Sequence, residues 1–206
     1  MEIEAGHVDR GSPLLGLCAA AFERRGAAVI VRDGDANWIR RMSTDEGGGF
    51  EVVVAGLPNL LHELAHAAQR GGLDDDHGFD YGKIPLRLDR PEHRADLWEE
   101  FAAAVVSCAY VDGSTAAIDA WFAEQIEIQG VFYGVGDDLD ALWALLDAAL
   151  RAHPEEAEGA LDRAYEACEA WLREAGASEA LSRPIRRFSA AYLWRRYSRG
   201  RRSKSL

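Results

Sequence analysis

Apolar residues in the first quarter of the chain come in short β-branched runs, and beyond Pro91 they recur at helical spacing. Pro13 to Arg25 reads as a first helix, with Ser12 as its cap and Gly26 as its stop. Three strand-like stretches follow, Ala28–Asp33, Trp38–Ser43 and Phe50–Ala55, punctuated by Gly34 and Gly47-Gly48-Gly49. Glycine-rich turns between short runs predict an antiparallel meander. Pro58 then stands where helices begin, and Leu57, Leu60, Leu61, Leu64 and Ala68 give the segment to Arg70 one apolar side, closed by Gly71-Gly72. After a polar loop over 73–91, helices are expected at about 92–111, 115–129, 138–152, 155–175 and 184–199. The fold class expected is α+β, a small antiparallel sheet near the N-terminus packed on a mainly helical body.

Composition adds little to that picture and charge adds more. With 48% hydrophobic and 28% charged residues, the 206-residue chain has the make-up of an ordinary globular protein. No run approaches the length of a membrane span, and acidic Glu2, Glu4 and Asp9 ahead of Leu14–Phe22 argue against a secretory signal. Cys18, Cys108 and Cys168 are odd in number and widely spaced, which points to a reducing, cytoplasmic setting. Nine of the 23 Lys and Arg lie after Ser182 with no acid among them, so residues 1–182 hold 14 bases against 35 acids, a net of -21. An acidic main domain over 1–182 and a basic helix and tail over 183–206 are expected, the helix docked and its end frayed from Arg199. Such a body repels nucleic acid and attracts its own tail.

One motif carries chemistry. His62-Glu63-Leu64-Ala65-His66 puts two imidazoles four residues apart on one helical face, a spacing that aims both at a single zinc ion. Glu63, one step round, reaches a water on the metal rather than the metal itself and is the candidate general base. Zinc in a hydrolase takes a third protein ligand. A third histidine six residues beyond His66 is excluded, because Gly72 stands there and Gln69 replaces the usual glycine. The carboxylates of Trp98-Glu99-Glu100-Phe101-Ala102 are the next source. Projected on a helix, Glu99 shares an apolar stripe with Ala103, Val106 and Tyr110, whereas Glu100 falls nearer Asp96, Ala104 and Ser107. Glu99 is therefore the expected third ligand, with Glu100, His93, Asp96 and His77 as alternatives.

With those residues in view, His62–His66 followed by Glu99-Glu100-Phe101-Ala102 resembles the gluzincin metallopeptidases, over about residues 50–110. The resemblance implies a zincin-like metalloprotease domain, zinc on His62, His66 and Glu99, a water activated by Glu63, and peptide or protein substrates. Tyr110, Tyr81, His77 and His93 are candidates to stabilise the oxyanion. Two other functions stay open: a zinc enzyme acting on a small molecule or modified amino acid, and a non-catalytic interaction module built on the basic tail. Asp74-Asp75-Asp76 with Asp80 lacks EF-hand spacing and is expected to be a solvated acidic loop.

Overall fold

Three strands and nine α-helices are formed among the residues described by the computed structural model, 13–34, 37–75 and 87–204. They are β1 (Ala27–Val31), β2 (Trp38–Arg41), β3 (Phe50–Val54), and helices α1 (Pro13–Glu23), α2 (Leu57–Arg70), α3 (Pro91–Ala109), α4 (Thr115–Glu127), α5 (Gln129–Phe132), α6 (Leu139–Ala152), α7 (Pro154–Glu174), α8 (Glu179–Ser182) and α9 (Ala190–Lys204). The α+β class is as expected. The sheet is not a meander. Its order is β1-β3-β2, with β1 parallel and β2 antiparallel to β3.

The reason lies in Val52-Val53-Val54. All three valines are buried, so β3 is covered on both faces and belongs in the middle. Both flanking strands instead include exposed positions, Ala28 in β1 and Arg41 in β2. A close approach fixes the register: Phe50 N–H donates to the Gly26 carbonyl at 3.0 Å. A Cβ on Gly49, whose φ is +86°, would lie 2.6 Å from that same oxygen. Only glycine satisfies both conditions.

The helices build the rest of one core. α1 packs on β1 and α2, and the long α7 packs against α1, α2 and α3. α2 and α3 lie side by side with Ala65 and Ala103 fully buried, small residues that let two backbones come close. Cys18, Cys108 and Cys168 are free and buried.

The last helix starts six residues later than expected. Residues 183–188 are instead tied to the body by Arg186 N–H on the Ala109 carbonyl and by Phe188 N–H on the Tyr165 hydroxyl. Ser189 Oγ then accepts from Tyr192 N–H and opens α9. The helix docks on the acidic body as charge predicted. Leu193, Trp194 and Tyr197 enter the common core, Arg196 Nε pairs with Asp119 at 2.7 Å, and Trp194 Nε1 donates to Asp147 at 3.0 Å. Arg201 pairs with Asp140 and the Leu139 carbonyl, so α9 runs past Arg199 rather than fraying there. No helix among the described residues is long and apolar enough to cross a membrane.

Candidate metal centre

α2 follows directly on the buried β3, with Pro58 in its first turn and Gly71 closing it at φ +71°. Residues 60–68 are buried without a break, so the two histidines and Glu63 are taken into the interior along with the leucines. His62, Glu63 and His66 are 7%, 4% and 9% exposed. Polar groups so deep need partners.

His62 and His66 turn their Nε2 atoms toward each other, 3.1 Å apart. The third group facing them is Glu100, not Glu99. Glu100 Oε2 lies 3.8 Å from His62 Nε2 and 3.5 Å from His66 Nε2, and it is buried with no hydrogen-bond partner. Ligand atoms of His62, His66 and Glu100 all fall within 4.8 Å of one another, a group that could hold a metal ion. An orphaned, buried carboxylate oxygen facing two imidazole nitrogens is an arrangement that a cation would complete.

The expected ligand Glu99 points elsewhere. Its Oε1 accepts from His66 Nδ1 at 2.8 Å and pairs with Arg70 Nε at 2.7 Å. The helix projection failed at Ser107, taken as a mark of a polar flank. Ser107 is fully buried, with its hydroxyl donating to the Ala104 carbonyl and accepting from Trp121 Nε1 at 2.8 Å. The side of α3 that carries Glu100 therefore faces the interior.

Electrostatics follow the same geometry. Burial, reinforced by His66, lowers the pKa of His62 to about 3. Burial acts the same way on His66, but Glu100, Glu99 and Glu63 outweigh it and hold that imidazole well above its ordinary value. Burial alone would raise Glu100; His66, then His62 and Arg70, bring it down to about 2. Glu63, Glu99 and Glu100 thus surround this point with negative charge, which a cation at the histidines would counter.

His62, Glu63, His66 and Glu100 line a cleft of about 590 Å³. Asn37, Ala55 and Asn59 form one side, and Trp121, Glu124, Gln125, Ile128 and Phe132 form the wall supplied by α4 and α5. Asn37 Nδ2 donates to Glu63 Oε1 at 2.9 Å, fixing the carboxylate beside the histidines. Sequence reasoning missed Asn37 and Arg70. Arg70 carried a usable signal, four residues past His66 on the same helical face. Asn37, just ahead of β2, carried none.

The other candidates are accounted for by their partners. Tyr110 donates its hydroxyl to the Ser182 carbonyl at 2.9 Å and does not line the cleft, so it is no oxyanion donor. His93 Nδ1 accepts from Arg87 N–H at 2.9 Å, and Asp96 is exposed; neither joins the group. Arg94, on the same helix as Glu99, is buried and pairs with Glu156 at 2.9 Å. Asp74 and Asp75 are exposed, and Asp75 accepts from Arg41 N–H. His77, Tyr81, Asp76 and Asp80 lie outside the described residues. Comparison with known protein families, characterised proteins and solved structures returns no match.

Proposed function

We propose that this protein is a zinc-dependent hydrolase that cleaves an amide bond, with peptides as its substrates. The observation that carries the proposal is the convergence of His62, His66 and Glu100 beside the buried, hydrogen-bonded Glu63 in one cleft. His62, His66 and Glu100 would hold the ion, and two imidazoles with one carboxylate are the donor set of catalytic rather than structural zinc sites. A zinc ion held there supplies a Lewis acid and makes water acidic enough to attack near neutral pH.

The chain's own residues do the remainder. Asn37 Nδ2 holds Glu63 Oε1, which keeps the carboxylate aimed into the cleft. Glu63 takes a proton from the attacking water and passes it to the departing nitrogen, so that the C–N bond breaks as a neutral amine leaves. The wall of Trp121, Ile128 and Phe132 offers apolar surface to substrate groups beside the reacting carbonyl.

Zinc content and cleavage of a peptide library test the proposal together. About one zinc per chain is expected, lost in His62→Ala and in Glu100→Ala, with cleavage by the zinc-loaded wild type. Full zinc occupancy in both variants would refute the site. Zinc bound without any peptide cleavage would refute the peptidase assignment and move the substrate to a small molecule.

A further inference from the structure

Resting on the metal-site proposal above, we propose that Glu99 is a positioning residue: through His66 Nδ1, and braced by Arg70, it sets the tautomer and orientation of His66 as a ligand. The two histidines are not held alike. His62 Nδ1 is buried and makes no hydrogen bond among the described residues, whereas His66 Nδ1 lies 2.8 Å from Glu99 Oε1. The acceptor there is a carboxylate, so the imidazole must be the donor, and its neutral form carries the proton on Nδ1. That leaves the Nε2 lone pair directed at the point shared with His62 Nε2 and Glu100 Oε2, 3.1 and 3.5 Å away.

Arg70 explains why Glu99 does this and nothing else. His62, His66 and Arg70 recur at four-residue intervals along α2, and Arg70 Nε binds the same Glu99 oxygen at 2.7 Å. An oxygen already taken by an imidazole and a guanidinium is held away from the metal point. The adjacent Glu100, whose Oε2 is buried and makes no hydrogen bond, supplies the ligand oxygen instead. Two neighbouring glutamates thereby divide the work: Glu100 binds and Glu99 orients. Carboxylates behind metal-bound histidines typically govern metal affinity by roughly 10–100-fold.

The test uses the full chain and measures zinc affinity by competition with a chromophoric chelator, with the proton resonance of His66 Nδ1–H in the zinc-loaded protein as a second readout. Glu99→Leu is expected to weaken zinc binding by roughly 10–100-fold and to abolish the hydrogen-bonded Nδ1 proton signal. Glu99→Gln keeps the size and an acceptor oxygen. It is expected to lose less than about tenfold in affinity and to keep that signal, shifted upfield. This variant also keeps the test decisive if Glu99→Leu does not fold. An unchanged resonance and affinity in Glu99→Gln would then overturn the assignment. Wild-type affinity in a folded Glu99→Leu would overturn positioning and leave the metal site standing. Loss as complete as in Glu100→Ala would make Glu99 a ligand and equally overturn it. A wild type that binds no zinc would remove the metal site and this role with it.

Discussion

Ser107→Ala should destabilise the protein by about 1–1.5 kcal/mol, although it removes one oxygen atom. Ser107 is wholly buried in the middle of α3 and accepts from the indole N–H of Trp121 at 2.8 Å. Its own donation to the Ala104 carbonyl is a bond within the same helix whose loss costs little, since that acceptor remains in the helical ladder. The cost is therefore the orphaned indole. An unsatisfied buried donor costs about 1–3 kcal/mol, and Trp121 is only half-buried, so some rehydration brings the value to the lower end. Trp121→Phe removes the donor with the acceptor still in place, and the double variant should lose less than the two single losses together, with a coupling of about 1 kcal/mol. Urea unfolding at pH 7 reads all four proteins, with equal slopes required before midpoints are compared. Because Trp121 forms part of the cleft wall, Ser107→Ala should also raise KM for a cleaved substrate more than it lowers kcat. A loss below about 0.5 kcal/mol, or strict additivity in the cycle, would refute the argument, because the indole would then have no stake in Ser107.

Gly49→Ala should be costly, by more than about 1 kcal/mol, because its Cβ would meet the Gly26 carbonyl at 2.6 Å and its φ is +86°. Thermal unfolding checks this, and a variant as stable as the wild type would contradict the register assigned to β1 and β3. Hydrogen bonds from Arg94, joined by Trp98, lower Glu156 to a pKa of about 2. A carboxyl depressed on folding stabilises the folded state above its unfolded pKa and loses that contribution as pH falls through the folded one. Wild-type stability should therefore decline between about pH 4.5 and pH 2 more steeply than that of Glu156→Gln. Identical pH slopes in urea titrations would rule the contribution out.

How much was legible in the sequence depends on how local each cause is. The start and stop of α2 rest on Pro58 and Gly71, whose effects act within one helical turn, and they stand within a residue of expectation. The strands were located as well, but their pairing was not: glycine turns suggested neighbours, whereas the unbroken burial of Val52–Val54 demanded a central strand. At the site, helical spacing alone placed His62 and His66 together. Spacing could not choose between Glu99 and Glu100, because that choice depends on what lies opposite each side of α3. Arg70 captures one carboxylate, and the wall around Trp121 buries the Ser107 side that carries the other. Asn37 reaches Glu63 across 26 positions from a loop of unremarkable composition, so nothing in the sequence announces it.

The central claim, that Glu63 acts as general base beside a zinc ion on His62, His66 and Glu100, is tested most directly by Glu63→Gln. The comparison is peptide-library cleavage by this variant and by wild type, each brought to equal zinc occupancy. Glu63 contacts Asn37 and is not part of the metal-ligating group, so the variant should keep its zinc and its fold. The amide cannot accept the proton of the attacking water, and the rate should fall by about 10²–10⁴-fold. Cleavage at the wild-type rate with full zinc occupancy would contradict the account.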